Sequence, residues 1–586
     1  MLFPGIDWGQ TMDDSFALGF WDYTAFTLYI AAVCIVGWWT GRKERTQADD
    51  YFLAGRSLPW YVVGSSFIAS NISTEHFIGM IGAAYIFGVA PAVYEWSNVA
   101  SFTLLIWLFI PFLLASRVFT TPEYMEQRFG PSLRFFFAGV TVISNVIAFL
   151  AAVLYGGAIG LQELFGWELW PSIIGLGLLA GVWAIYGGLK SVAWSDFMMF
   201  VVMIAGGAMI TVLGLYDLSG EERSLVSGVK IMIERNQATD GAWRDAVVAT
   251  APHITGETEY NRLSVIQPAS HTLAPWPFII FGVFSLSIWY NVCNQFMIQR
   301  VLGARNLYHA RMGIVFAGYM KIILPVIIVV PGLILFARDP QTLLLPWDQV
   351  RPEADKGYIR MLQEVVPQGL RGLFLAALFG AIQSTVNSVL NSTATVFTLD
   401  IYKRGLNPNA SDRNLVAMGV ISSVVFLAIA IVLGGFIGAF GEGLFGYIQA
   451  LYAFFGPPFA SVFLLGILFR RINANGAIAG VVAGFAFGIL VKIYVDVAAN
   501  PLPVLEPFAM QAIFNWAFCT LVCIVVSLTT KPPRPEQVAD HLTLNWSTLN
   551  IFSELGKHWY TNVVVWWGLF VLIVLGLFMT LSGLFI

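Results

Sequence analysis

Charge is scarce in this sequence. Only 11% of its 586 residues are charged, and 31 basic side chains nearly offset 35 acidic ones, for a formal net charge of -4. A soluble domain has about a quarter of its residues charged, so composition excludes an ordinary water-soluble enzyme and offers no basic footprint for nucleic acid. Cysteine is rarer still. Cys34, Cys293, Cys519 and Cys523 all lie in apolar stretches without the spacing of a disulfide framework or a zinc site. No basic residue precedes Arg42, whereas Asp7, Asp13 and Asp14 do, so the start lacks the positive region of a cleaved secretory signal. Also missing are GxxxxGK[ST], needed to cradle a nucleotide, and HExxH, needed for metalloprotease chemistry.

What is abundant is apolar. Hydrophobic residues make up 58% of the chain, with 47 Phe and 20 Trp. Runs of about twenty such residues, enough to cross a hydrocarbon core of roughly 30 Å, recur along the whole length. The pattern predicts an all-α polytopic membrane protein of about 14 transmembrane helices. These lie near 22–41, 60–89, 91–115, 133–160, 170–186, 191–215, 276–300, 310–337, 368–402, 412–436, 444–469, 473–497, 508–528 and 562–586. Basic residues gather in alternate connections: Arg42, Lys43, Arg45 and Arg56 after the first span, Arg117, Arg128 and Arg134 after the third, and Arg300, Arg305 and Arg311 after the seventh. Intervening short loops such as 437–443 have no Lys or Arg. The positive-inside rule then puts the basic loops in the cytoplasm and both termini outside, in a multi-pass protein of the plasma (inner) membrane.

Polar groups at membrane depth need partners. The stretch IASNISTEHFIGM, 68–80, sets Asn71, Ser73, Thr74, Glu75 and His76 together in the middle of the second span. Ser, Thr and Asn can serve as packing glue between helices. So dense a cluster, with a carboxylate in it, instead predicts a broken helix whose freed carbonyls near Ala69 and Ile72 face a cation, while the next half-helix faces a polar solute. Glu95 opens the third span, and Ser285, Ser287, Asn291, Asn294 and Gln295 crowd the seventh. Lys321 lies about ten residues into the eighth span, either snorkelling to the nearer surface or serving a site. Gln449 is a weaker signal on the eleventh. On the ninth, AIQSTVNSVLNSTAT places Ser384, Asn387, Ser388 and Asn391 along one helical face with Thr385 beside it. That face is either a small-residue packing seam or a set of oxygen ligands for a hard cation. Asp196 would add a carboxylate to such a site, or cap a helix. An intramembrane enzyme using Glu75, His76 and Asp196, and a sodium-leak channel, remain competing readings.

The motifs DDYFLAGRSLPWYVVGSSFIASNIS (49–73), YGGLKSVAWSD (186–196), NQFMIQR (294–300) and NSTATVFTLDIYK (391–403) resemble the solute:sodium symporter family, most closely its sodium/glucose and sodium/galactose cotransporters. The resemblance implies a leucine-transporter-like core of two inverted five-helix repeats. The implied divisions are 1–59 for the first helix and its flanks, 60–215 for the first repeat and 216–275 for an external loop. The second repeat takes 276–471, and accessory helices with a cytoplasmic linker take 472–586. It implies no enzymatic activity but import of a monosaccharide with Na+, without an obligate protein partner; myo-inositol is the alternative solute, and a monocarboxylate or an amino acid are further ones. Carried over, the sodium site falls on the carbonyls of Ala69, Ile72 and Ala381 and the hydroxyls of Ser384 and Thr385. Sugar contacts fall on Asn71, His76, Glu95, Asn98, Ser287, Tyr290, Asn291, Lys321 and Gln449. Tyr290 is the inner gate, and Met80, Tyr94 and Phe445 form the outer lid. A second sodium site matches Ser70, Asp196, Asn387 and Ser388. Two departures bear on the sugar: His76 stands where bacterial galactose carriers have Gln, and Asn291 where Trp commonly follows the gating Tyr.

Overall fold

The computed structural model describes residues 18–42, 47–437, 444–498, 500–545 and 552–583. Lys43, Arg45 and the basic-free loop 438–443 lie outside them. Every regular element among the described residues is helical, and pairing between extended segments is limited to isolated bridges such as Leu58 with Ala304. Twelve helices are long and apolar enough to cross a membrane. Two more spans complete the set by sequence position. One is the interrupted pair Trp60–Asn71 and Glu75–Phe87, and the other is Leu169–Val182, the first part of a helix that runs on to Leu218. The molecule is a multi-pass membrane protein.

The fifth and sixth spans, expected as separate helices, run as one element, Leu169–Leu218, bent at Gly188. Gly188 has φ 58°, and a Cβ there would sit 2.2 Å from the carbonyl oxygen of Tyr51. Only glycine allows both the backbone turn and the close approach. Elsewhere the outward faces are bare aliphatic and aromatic side chains, such as Leu178, Leu179, Val482 and Leu572, as a lipid-facing surface requires.

Two spans are broken, and they are the first helices of the two expected repeats. The second stops at Asn71, with Ile72 extended at φ -77° and ψ 118°, and resumes at Glu75. The seventh stops at Cys293, with Asn294 extended at φ -71° and ψ 121°, and resumes as Gln295–Leu302. The turns beside both breaks, Glu75–Met80 and Trp289–Cys293, are widened to π-helix, which changes the aim of successive side chains. The ninth span, Arg371–Val396, is buried almost throughout and packs across the second. Gly64 and Gly313 let the second and eighth spans touch backbone to backbone, since a Cβ on Gly64 would lie 2.4 Å from the Gly313 carbonyl.

Three arginines assigned to loops on charge alone are instead interior. Arg128, Arg300 and Arg311 are fully buried. Arg128 donates to the carbonyls of Gly466, Phe469 and Ile472 at 2.8–3.0 Å, satisfying the end of the eleventh span. Arg311 reaches the carbonyls of Ile106 and Ser553 at 3.1 and 2.8 Å. A guanidinium forks to several backbone acceptors at once, so it can be buried where a lysine could not.

Candidate functional site

The break in the second span sets out two neighbouring groups of polar atoms. On one side a chamber of about 60 Å³ is lined by Asn71, His76, Met80, Tyr94, Glu95, Asn98, Ser287, Tyr290, Lys321, Phe445 and Gln449. All were candidate sugar or gate positions, drawn from five different spans. Glu75, Leu286, Trp289, Tyr452 and Phe278 complete the wall. Lys321 does not snorkel. It is 2% exposed, and its Nζ donates to Glu95 Oε2 at 2.6 Å and to Asn71 Oδ1. His76 Nε2 lies 3.4 Å from Glu95 Oε1, while its Nδ1 accepts the Ser73 backbone N–H. Glu95 thus meets two nitrogen-bearing side chains, and a buried pair hydrogen-bonded on both sides is the arrangement that tolerates desolvation.

Asn291 does not line the chamber. One residue beyond Tyr290 on the widened turn, it faces away and donates to Asn98 Oδ1 at 2.7 Å and Ser101 Oγ at 3.0 Å. It orients Asn98, which does face the chamber. Tyr290 closes one end, accepting from Asn71 Nδ2 at 2.7 Å, with Tyr452 beside it at 5.5 Å between ring centroids. Tyr452 stacks on Phe149 at 4.8 Å. At the other end Tyr94 packs on Phe445 at 5.4 Å and Phe278 at 4.8 Å, and its hydroxyl donates to the Leu273 carbonyl at 2.7 Å. Beyond that lid lies a cavity of about 730 Å³ edged by Phe87, Arg351, Phe508 and Lys492. The inner chamber is far smaller than the roughly 300 Å³ at which typical ligand pockets begin, so these side chains leave little free space between them.

Across the same helix break lies the second group. Ser384 Oγ donates to the Ala69 carbonyl at 2.8 Å and to the Ala381 carbonyl at 3.2 Å. Thr385 Oγ1 reaches the carbonyls of Ile72 at 3.1 Å and Ser70 at 3.3 Å. The five oxygens named for sodium therefore gather where the second and ninth spans cross. Hydroxyl and carbonyl oxygens are the neutral hard donors that an alkali ion accepts.

The residues matched to a second sodium form a different cluster. Ser70 and Ser388 hydroxyls are 2.7 Å apart, and Asp196 Oδ2 accepts from Ser66 at 2.6 Å. Asn387 Oδ1 takes the Ala184 N–H at 3.2 Å. Asp196 is fully buried in mid-helix and caps nothing. Arg300 enters this cluster: its Nη2 donates to Ser388 Oγ and lies 3.7 Å from Asp196 Oδ2, and its Nε donates to Ser66 at 3.2 Å. Sequence reading missed Arg300 because nothing in a run of basic residues distinguishes a buried arginine from a loop one. It missed Tyr452 because an aromatic in an apolar span carries no periodic signal.

Residues 51–484 match the sodium:solute symporter family. Over 525 residues the chain is 35% identical to a sodium/glucose cotransporter of Vibrio parahaemolyticus, covering 88% of this chain and 91% of that one. It is 32% identical to a sodium/myo-inositol cotransporter of Homo sapiens, covering 90% of this chain and 76% of that one. Among solved structures, a Na+-coupled sialic acid symporter in a substrate-bound outward-open state superposes with a TM-score of 0.69. It is 20% identical and covers 88% of this chain and 99% of that one. The chain belongs to the sodium:solute symporter family, and its fold is the leucine-transporter-like one.

Proposed function

We propose that this protein imports a neutral monosaccharide of the glucose or galactose type together with Na+ by alternating access. The observation that carries the reading is that a single helix break, Ile72 to Thr74, has the polar chamber on one side and the five cation-directed oxygens on the other. A sugar presents a rim of hydroxyls and flat C–H faces. Asn71, His76, Glu95, Lys321 and Gln449 offer donors and acceptors to the rim, and Tyr290 offers a ring to a face. A hydroxyl left unmatched in such a place costs about 1–3 kcal/mol, enough to select among sugars. An anionic solute would meet Glu75 and Glu95, which disfavours a monocarboxylate.

Sodium bridging the second and ninth spans would hold the chamber complete toward the outside, and its loss to the cytoplasm would loosen that seam and release the sugar. Inward movement of one charge gains about 2.3 kcal/mol per 100 mV. A tenfold ion gradient adds about 1.4 kcal/mol, so one ion supports about a few hundredfold accumulation. We assign a single coupling ion, because Arg300 already places a cation against Asp196 and Ser388. The basic loops face the cytoplasm and both termini the outside, in the plasma (inner) membrane.

The test is uptake into proteoliposomes of labelled glucose, galactose and myo-inositol, with and without sodium. Saturable, sodium-dependent uptake and counterflow of a hexose are expected. Myo-inositol as the preferred solute would move the assignment to the inositol class, whose human member is among the relatives. Sodium-independent flux would end the proposal.

A further inference from the structure

We propose that Glu75 is the coupling carboxylate of this carrier, one negative charge shared between the solute chamber and the neighbouring cation site. The inference rests on the function proposed above and names the group through which ion and solute sense each other.

Three charged side chains line the chamber: Glu75, Glu95 and Lys321. Two of them cancel. Lys321 pairs with Glu95 at 2.6 Å and spends a second proton on Asn71, so it is committed. Glu75 is only 4% exposed, yet among the described residues no cationic side chain forms an ion pair with it. Its partners are neutral: Gln449 Nε2 at 2.8 Å and the Tyr452 hydroxyl at 3.3 Å. Both of its oxygens accept in this staple between the second and eleventh spans. A buried carboxylate with only neutral partners is expensive and takes up either a proton or a visiting cation.

The visitor's berth adjoins it. Besides the chamber, Glu75 lines a narrow cleft shared with Ser70, Ser73, Tyr290 and Thr385. Thr385 is the hydroxyl directed at the Ile72 carbonyl, and Ser73 Oγ accepts the Glu75 backbone N–H at 3.1 Å. Glu75 therefore sits in the first turn after the break, at the positive end of the half-helix, with Ala69 and Ile72 on the other side of it. An arriving sodium compensates the carboxylate. The carboxylate then holds Gln449 less firmly, and that amide becomes available to a sugar hydroxyl in the chamber. By linkage the sugar must tighten sodium by the same factor.

The test uses the full-length protein in proteoliposomes, measuring the sodium concentration for half-maximal uptake at several sugar concentrations. Glu75→Gln, which keeps shape but removes the charge and exchanges one acceptor oxygen for an N–H₂ that the Tyr452 hydroxyl can accept, is expected to raise that concentration about tenfold or more. It should also flatten its dependence on sugar. An unchanged sodium requirement in a functional Glu75→Gln carrier overturns the proposal. If Glu75→Gln does not reach the membrane folded, Glu75→Asp decides. Drawing the charge back by one carbon should raise the sodium requirement about two- to fivefold, and no change in that requirement overturns the idea. Absence of sodium dependence in the unmodified protein would instead refute the proposed function itself, so the two failures are distinguishable.

Discussion

The side chains that matter most are those whose removal leaves another group stranded. Glu95→Ala would leave the Lys321 ammonium buried beside Asn71 without its counter-charge, and breaking a buried pair in this way costs about 3–5 kcal/mol. Glu95→Ala is therefore expected to lower thermal stability in detergent as well as abolish uptake. The doubly altered Glu95→Gln, Lys321→Met carrier should recover the stability and not the uptake; a melting curve for each separates the two roles, and restored transport would remove Glu95 from the sugar site. Ser384→Ala with Thr385→Ala leaves no buried charge behind. It should reach the membrane normally and need much more sodium, and an unaltered sodium titration would displace the cation from this crossing.

At the level of elements, the lid depends on a loop. His271 is fully buried between Pro275 and the short helix ending at Ile254, and its Nδ1 accepts the N–H groups of Leu273 at 3.1 Å and Ala274 at 3.0 Å. Leu273 in turn accepts the Tyr94 hydroxyl. Burial holds the His271 imidazole down to about 3, against an ordinary value of 6.5. Because the folded value is the lower one, its neutral form is favoured by the fold: the full stability is present above pH ~6.5 and is lost progressively as pH falls toward 3. His271→Asn keeps an acceptor but cannot titrate. It should lose less stability than the unmodified protein between pH 7.5 and pH 5, followed by thermal melting; equal losses would clear His271 of the role. Elements were also where sequence succeeded and failed most plainly. Asn71 to His76 betrayed the break in the second span because five polar residues cannot share lipid. The kink at Gly188 and the continuous Leu169–Leu218 helix left no such mark, since a glycine between two apolar runs reads equally as a loop. Asn291 was placed in the chamber because motif matching cannot see a π-helical turn redirect a neighbour.

For the whole molecule, one prediction concerns the ratio of ions to solute. With Arg300 against Asp196 and Ser388, the reversal potential of coupled flux is expected to give one sodium per sugar, and a ratio of two would show that the guanidinium yields its place. The overall architecture was legible because spans are counted by composition, and nearly all of those expected appear within a few residues of their predicted bounds. The pairing of distant spans was not, since the crossing of the ninth over the second is set by burial on every side rather than by one face. That crossing has a kinetic meaning. Ser384 and Thr385 each turn a proton toward the carbonyls that sodium would take, so the seam can zip shut by itself. On the proposed alternating-access cycle, an unladen carrier would thereby be spared a gaping crevice on its homeward stroke, and idle leakage measured without sodium is expected to be low.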